Sequence, residues 1–385
     1  MENFTYKNAT EIVFGKSTQS QTGELVKRYG GTKVLLHYGG GSIKKSGLYD
    51  EILQSLADSG IEYIELGGVK PNPRLSLVRE GIALCKKEKI DFILAAGGGS
   101  VIDSAKAIAM GACLDHDVWD LFEVRRPICK CLPVGVVLTI PAAGSETSGS
   151  MVITNEDGWL KRSYSHGLIR PQFAVMNPEL TYTLPPFQTA CGISDMLAHI
   201  MERYFTTVRN VDVSDRMCEA VMRSIMINAQ KVISNPDNYD ARAEIMWAGT
   251  VAHCDILGLG RIGDWASHDI EHELSAIYDI AHGAGLSIIF PAWMKYQHEV
   301  DVTRFLQFAV RVMNVDMAFG EPEMIIQEAI RRLENFFTSI GLPVRLSELQ
   351  IDDTRFKEMA QKAAPVGNFS VLNAKDIEQI YRLAL

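Results

Sequence analysis

The sequence has neither a long apolar run nor a cluster of like charges, and both absences exclude classes of function. No apolar segment approaches the roughly 18 residues of a membrane span, and residues 1–10 are polar, unlike a secretion signal. The chain has 38 basic and 47 acidic residues and a net charge of −9, without a Lys/Arg-rich run. We therefore expect a soluble, cytoplasmic protein whose partners include neither membranes nor nucleic acids.

Cysteine is also scarce, and its positions follow no pattern. The seven cysteines are odd in number and scattered, and Cys129 and Cys131 are too isolated to indicate a zinc knuckle. We therefore expect reduced thiols, as in the cytosol, rather than a disulfide framework. The 385 residues, 47% of them hydrophobic, are enough for two domains with sizeable cores.

The hydrophobic pattern changes near residue 186. Before that point, β-branched apolar runs alternate with helix-like stretches, which predicts a parallel, doubly wound α/β sheet. The predicted strands are 33–38, 61–66, 92–96, 132–140 and 173–176, and the predicted helices are 46–59, 74–87 and 100–112. After Pro185-Pro186 long amphipathic patterns dominate, at 188–206, 214–233, 239–255 and 321–340. We therefore predict an α/β domain at 1–186 and an all-helical domain at 187–385.

Two similar glycine-rich loops each follow a predicted strand. They read Gly39-Gly40-Gly41-Ser42 and Gly97-Gly98-Gly99-Ser100, and a helix-like stretch follows each one. Glycines allow the backbone to approach a ligand closely, and a helix N-terminus offers free N–H groups to phosphate. Ser100 is expected to cap the second helix, with Asp103 in its first turn. A flexible turn is the alternative for each loop, and neither has the G-x-G-x-x-G pattern.

The first loop also bears on the choice of nicotinamide cofactor. Sites that prefer NAD often place a carboxylate on the ribose hydroxyls of the adenosine, but residues 37–45 contain no acid. Ser42, Lys44 and Lys45 would instead favour a 2′-phosphate, together with backbone N–H groups. We therefore expect NADP(H); the alternative is that these lysines only solvate a helix surface.

One aspartate and four of the nine histidines form a second set of candidate site residues. Asp195 and His199 are four residues apart, as are His268 and His272, so each pair shares one face of a helix; His282 follows. Such a set suits a divalent metal such as ferrous iron or zinc, although a single histidine is more often structural. A zinc protease is excluded because His268 is not followed by the glutamate of His-Glu-x-x-His.

Together these motifs resemble the iron-containing (group III) alcohol dehydrogenases over nearly the whole chain. Residues 94–106 are similar to that family's cofactor signature, and Asp195, His199, His268 and His282 match its four metal ligands in order. The first loop resembles the NADPH-dependent butanol dehydrogenase and aldehyde reductase branch. The resemblance implies a dehydroquinate synthase-like fold, a homodimer, and hydride transfer between NADP(H) and a primary alcohol or aldehyde such as butanol or butanal.

The set of expected cofactor contacts combines the loops with positions that the resemblance adds. Ser148 departs from the branch, which often has Asn there, and this puts one hydrogen bond in doubt. The expected contacts are Gly39, Gly40, Ser42, Lys45, Asn72, Gly97, Gly98, Gly99, Ser100, Asp103, Thr139, Ser148 and Lys161.

The expected ligand set also bears on the metal and on proton transfer. Four protein ligands would close a tetrahedral site, so an open position for substrate needs higher coordination, which favours iron over zinc. His272, one helical turn from His268, is the candidate proton relay. A hydrogen bond within the metal site is its alternative role.

Other functions stay open on the sequence. One is a NAD-dependent alcohol or polyol dehydrogenase of the same family. A dehydroquinate synthase-like lyase would carry glutamate as its first ligand and only two histidines, unlike this chain. The paired glycine loops argue against a metal-dependent hydrolase without a nucleotide, and a non-catalytic binding module would use neither set of residues.

Overall fold

The computed structural model describes residues 1–124 and 127–385. The chain folds as two compact units: a sheet unit, Lys7–Leu184, and a helical unit, Pro185–Leu385 together with Met1–Tyr6. The first residues are fixed to the helical unit by main-chain hydrogen bonds. The Met1 ammonium donates to Arg209 O at 3.0 Å, and Glu2 N donates to Gly260 O at 2.9 Å.

The sheet unit is built on six parallel strands, with a separate antiparallel hairpin. The strands are β1 (Glu11–Phe14), β2 (Lys33–Tyr38), β3 (Glu62–Leu66), β4 (Phe92–Gly98), β5 (Val134–Ile140), β6 (Ser150–Asn155), β7 (Leu160–Ser165) and β8 (Phe173–Met176). Their order in the large sheet is β1-β8-β5-β4-β2-β3, while β6 and β7 form the hairpin. β4 is buried along its whole length, as expected for an inner strand of a parallel sheet.

Helices cover the sheet and make up nearly all of the helical unit. Those of the sheet unit are α1 (Thr22–Arg28), α2 (Ser42–Lys45), α3 (Leu48–Asp58), α4 (Leu75–Glu88), α5 (Gly99–Gly111) and α6 (Asp120–Val124). Those of the helical unit are α7 (Pro186–Tyr204), α8 (Asp212–Ser234), α9 (Tyr239–His253), α10 (Ala266–Tyr278), α11 (His282–Gln297), α12 (Val302–Arg311), α13 (Pro322–Ser339), α14 (Phe356–Ala363) and α15 (Ala374–Leu383). Helix α11 packs against α7, α10, α13 and α15, so it lies at the centre of the helical unit.

The predicted succession of a parallel α/β region and a helical region is confirmed. Helix α7 begins at Pro186, because proline suits the first turn of a helix. The sequence analysis missed β1, which is only four residues long, and the β6–β7 hairpin. The hairpin did leave a signal, since Asp157-Gly158 is a turn dipeptide and Gly158 has a φ of +80°.

The second glycine loop is part strand and part helix, so the prediction that Ser100 caps the helix is wrong. β4 continues through Gly98, and α5 begins at Gly99. A Cβ on Gly97 would lie 2.4 Å from Val101 Cγ2, and one on Gly98 would lie 2.8 Å from Ile140 Cβ. The missing side chains therefore let β4 run two residues further than predicted against its neighbours.

Two expectations from composition can be compared with the structure. Within the described ranges, no helix combines the length and the apolar character needed to cross a membrane. All seven cysteines are free thiols, in agreement with the prediction that the chain has no disulfide framework.

Candidate active site

The two glycine loops lie side by side at one edge of the sheet. β2 and β4 are parallel neighbours with Tyr38 beside Ala96, so the loops that follow them leave the sheet at the same end. Over the described residues, no side chain caps the N-terminus of α5. Its first N–H groups and the positive end of its dipole are therefore available to an anionic ligand.

The glycines of the two loops differ in the space around them. A Cβ on Gly40 or Gly41 would meet nothing within 4 Å, and one on Gly99 would meet only Ala143 Cβ, at 3.7 Å. Gly97 and Gly98 are instead required by the packing described above. The open surface that suits a close-lying phosphate therefore runs over the first loop and over the start of α5.

Asp103 and Lys106, both on α5, hold the segment that leads into the hairpin. Ser145 Oγ donates to Asp103 Oδ1 at 2.6 Å, and Val152 N donates to Asp103 Oδ2 at 2.9 Å. Burial raises the pKa of Asp103. The fully buried Lys106 ammonium donates to Ser145 O at 2.7 Å and to Ser148 O at 3.0 Å. Asp103 therefore has a structural role, because it fixes Ser145 and Val152 to α5. Its contact with the cofactor stays a prediction.

The other predicted cofactor contacts also lie in the sheet unit. Ser42 and Lys45 are exposed on α2, beside the open first loop. Thr139 is near the carboxyl end of β5, which is the edge of the sheet that carries the loops. Asn72 is buried in the left-handed region with φ +53°, and Lys161 is buried on β7.

Glu65, which the sequence analysis did not select, changes the interpretation of the first loop. Its Oε2 accepts hydrogen bonds from Tyr38 OH at 2.7 Å and Tyr49 OH at 3.0 Å, and it pairs with Lys44 Nζ at 3.1 Å. The Lys44 ammonium also lies over the Tyr49 ring, 4.4 Å from its centroid. Lys44 therefore already has a counter-charge, whereas Lys45 makes no ion pair with any described residue.

In the helical unit, three predicted ligands converge from three helices. Asp195 on α7, His268 on α10 and His282 on α11 each offer a ligand atom within 4.8 Å of the other two. Both imidazole Nε2 atoms lie 3.9 Å from Asp195 Oδ1. A Cβ on Gly283 would lie 2.0 Å from Cys191 O, so this glycine allows α11 to start directly against α7.

The atoms of this cluster suit a cation. Among residues 1–124 and 127–385, buried Asp195 Oδ1 and His268 Nε2 have no hydrogen-bond partner, which is costly unless a ligand satisfies them. Burial lowers the pKa of His268, but the carboxylates of Asp195 and Glu202 outweigh it and raise that pKa to about 9. The surroundings of His268 therefore favour positive charge, and the donors suit ferrous iron or zinc.

His199, the fourth predicted ligand, approaches the cluster from the same helix as Asp195. Its Nε2 lies 3.3 Å from Asp195 Oδ1, and its ring centroid is 4.6 Å from that of His268. Burial lowers the pKa of His199 well below its usual value, and the neighbouring His253 and His268 lower it further. A neutral imidazole is the form that binds a metal.

Two buried glutamates, which the sequence analysis missed, contact two of the predicted ligand histidines. Glu202 Oε1 lies 2.8 Å from His268 Nδ1, and Glu271 Oε2 hydrogen-bonds to His282 Nδ1. Neither glutamate is part of the four-residue spacing from which the candidate ligands were predicted. Glu202 is seven residues after Asp195 on α7, so a search along that helix face for further acids was the available signal.

His272, the predicted proton relay, is buried beside the cluster. It shares a second group of converging ligand atoms with Glu271 and His282, and its ring centroid is 5.5 Å from that of His282. Its Nδ1 lies 3.8 Å from Asp269 Oδ1, and the Asp269 side chain is 45% exposed. His272 is therefore placed between a candidate ligand and a solvated carboxylate.

Family models match both parts of the chain. Residues 9–178 match the model described as iron-containing alcohol dehydrogenase, and residues 189–385 match the C-terminal model of the Fe-containing alcohol dehydrogenase family. These two ranges contain both glycine loops and all four candidate metal ligands.

Individual relatives are similar along their whole length. The chain is 44% identical to the "Probable NADH-dependent butanol dehydrogenase 1" of Bacillus subtilis, with 100% of both chains covered. It is 35% identical to the "NADPH-dependent aldehyde reductase YqhD" of Escherichia coli, covering 94% of this chain and 93% of that one. The crystal structure of an NADH-dependent butanol dehydrogenase A from Thermotoga maritima superposes with a TM-score of 0.97 at 42% identity, covering 100% and 99%.

Proposed function

This chain belongs to the iron-containing alcohol dehydrogenase family, and on that premise we propose that it interconverts primary alcohols and aldehydes, such as butanol and butanal, with NADP(H). It is an alcohol dehydrogenase of the oxidoreductase class that uses a nicotinamide cofactor. The convergence of Asp195, His268 and His282, with ligand atoms within 4.8 Å of one another, is the observation that carries the proposal.

We assign the metal to Asp195, His199, His268 and His282. A divalent ion bound there supplies a Lewis acid that polarises the substrate oxygen. Burial keeps the donor atoms of Asp195, His199 and His268 away from competing water, and the three helices hold all four side chains in place before substrate arrives. His272 passes a proton between the site and Asp269, which reaches solvent.

The nicotinamide cofactor supplies or accepts the hydride, and the sheet unit binds it. The uncapped start of α5, with Gly99 and Ser100, would hold the pyrophosphate, and the open loop at Gly40 would accommodate the adenosine end. Ser42 and Lys45 favour the 2′-phosphate of NADP(H), because the loop itself carries no acid. Asn72, Thr139, Ser148 and Lys161 complete the proposed contacts.

NAD(H) is the competing cofactor, and one observation favours it. Glu65 places a carboxylate beside the first loop and neutralises Lys44, which reduces the positive charge available to a 2′-phosphate. The names of the relatives include both cofactors. The chain is further proposed to act in the cytoplasm, supported by its free cysteines, and to form a homodimer as its resemblance to the family implies.

The proposal is tested by following loss of the reduced nicotinamide absorbance with butanal as substrate. NADPH and NADH are compared in the metal-loaded enzyme, after chelation, and after ferrous iron or zinc is returned. We expect metal-restored turnover with a higher kcat/KM for NADPH than for NADH. Activity unchanged by complete metal removal would contradict the metal assignment, and a higher kcat/KM for NADH would contradict the cofactor assignment alone.

A further inference from the structure

We propose that Glu202 and Glu271 are positioning residues that set the tautomer and direction of two metal-binding histidines, and thereby determine how tightly the site holds its ion. The inference rests on the proposed metal-dependent function. Neither glutamate is among the four expected ligands, and each contacts a different histidine from a different helix.

The contacts fix the tautomers of both imidazoles. An ionised carboxylate only accepts hydrogen bonds, so His268 Nδ1 donates to Glu202 Oε1 at 2.8 Å, and His282 Nδ1 donates to Glu271 Oε2. In each ring Nδ1 therefore carries a proton, so Nε2 is the nitrogen through which a metal would bind. Both Nε2 atoms are the ones that lie 3.9 Å from Asp195 Oδ1.

Glu202 is itself held rigidly by the start of α10. Its Oε2 accepts from Trp265 N at 2.6 Å, and its Oε1 also accepts from the main-chain N–H of His268 at 3.1 Å. The same carboxylate thus satisfies N–H groups at the helix N-terminus and orients a ligand side chain on that helix. The position of α10 and the direction of His268 are coupled through one side chain on α7.

The Glu271 side chain is held in one conformation by the residues packed around it. It is fully buried, and Ser275 Oγ hydrogen-bonds to its second oxygen, Oε1. A Cβ on Gly285 would lie 2.4 Å from Glu271 Oε1, so this glycine on α11 provides the space that the carboxylate fills. His282, three residues earlier on the same helix, receives its orientation from α10 in this way.

Carboxylates that accept from a ligand histidine strengthen metal binding, because they fix the ring and make the other nitrogen more basic. Removing such a partner commonly weakens metal affinity about 10–100-fold. The two contacts connect three helices in succession. Glu202 on α7 orients a ligand on α10, and Glu271 on α10 orients a ligand on α11. We therefore expect each glutamate to contribute to affinity although neither is a ligand.

The test measures the affinity of full-length Glu271→Gln and Glu202→Gln for Zn²⁺ by competition with a chromogenic chelator. Glutamine keeps the size of each side chain but removes its charge. We expect the dissociation constant to rise about 10–100-fold in each variant, and the visible spectrum of the Co²⁺-loaded protein to change as the ligands are reoriented. Glu219→Gln is the matched control: its carboxylate is buried on α8 and bonded to Tyr204 OH at 3.0 Å, away from the ligands. It is expected to lower thermal stability without changing metal affinity.

The outcomes separate this inference from the proposed function. Wild-type affinity and an unchanged Co²⁺ spectrum in the folded Glu271→Gln variant would overturn the positioning role, even if the wild type binds metal tightly. Glu202→Gln also weakens the contacts that Glu202 makes with the start of α10. If that variant does not fold, Glu271→Gln alone tests the positioning role. A wild-type protein that binds no Zn²⁺ with these histidines would instead overturn the proposed metal-dependent function.

Discussion

His37 Nε2 lies 2.8 Å from Ser104 Oγ, a buried hydrogen bond that joins β2 to α5 within the sheet unit. His37 Nδ1 lies 2.8 Å from Leu66 O, and a carbonyl oxygen can only accept. Nδ1 therefore carries a proton, and in the neutral ring Nε2 accepts from the serine hydroxyl. Burial lowers the pKa of His37 to about 4.

This histidine is expected to destabilise the fold in acid. Because the folded pKa lies below the unfolded value of about 6.5, the unfolded chain takes up a proton first, and stability is lost as the pH falls from about 6.5 to 4. The loss attributable to His37 is about 3 kcal/mol. Urea unfolding across this range should show a steeper decline for the wild type than for His37→Asn. Parallel curves would contradict the assignment, and His116→Gln, at an exposed position, should retain the wild-type slope.

Two alanine substitutions should separate ligand contact from packing in the glycine loops. Gly40→Ala places a Cβ in open space, with φ outside the left-handed region, so we expect an unchanged Tm and weaker binding of NADPH. Gly98→Ala forces a Cβ to within 2.8 Å of Ile140 Cβ and should lower stability by about 1–3 kcal/mol. Thermal melts and cofactor fluorescence titrations measure both effects. Equal NADPH affinity in wild type and Gly40→Ala would contradict placing the cofactor on the first loop.

Lys45 should discriminate between the two nicotinamide cofactors. Lys45→Ala removes an exposed charge beside the first loop, so the KM for NADPH should rise about 5–10-fold while the KM for NADH stays unchanged, as expected for an exposed pair with phosphate worth about 1 kcal/mol. Lys87→Ala, which removes an exposed lysine on α4, is the control and should leave both values unaltered. A parallel rise in both KM values would show that Lys45 does not read the 2′-phosphate.

The periodic features of the chain could be predicted from the sequence, and the features made by packing could not. Strand–helix alternation and the two prolines at the start of α7 are local patterns. The pairs Asp195/His199 and His268/His272 could be found because each has the spacing of one helix face. Glu202 and Glu271 resemble any other helical acids in sequence. Their importance arises only because α7, α10 and α11 bring each of them against a histidine from elsewhere in the chain.

The errors at the glycine loops have a similar physical origin. Ser100 has the chemistry of a helix cap, but the steric room beside Ile140 and Val101 lets β4 extend and moves the start of α5 back to Gly99. Glu65 lies outside the first loop in sequence and joins it only because β3 pairs with β2. A search for acids restricted to residues 37–45 could not find it.

His272 should affect turnover more than metal binding. His272→Gln removes the proposed relay between the site and Asp269, so kcat should fall about 10²-fold or more while the metal content stays at the wild-type level. Added imidazole buffer should restore part of kcat in this variant and leave the wild type unaffected. Loss of the metal from His272→Gln would indicate instead that His272 serves the metal site directly.

The metal content of purified Asp195→Asn tests the central claim most directly. The Asp195 carboxylate faces both His268 and His282, so its loss should remove the ion while the helical unit stays folded. Elemental analysis should find stoichiometric iron or zinc in the wild type, and in the His116→Gln control, but not in Asp195→Asn, which should also lack butanal reductase activity. Stoichiometric metal and wild-type turnover in Asp195→Asn would contradict the account.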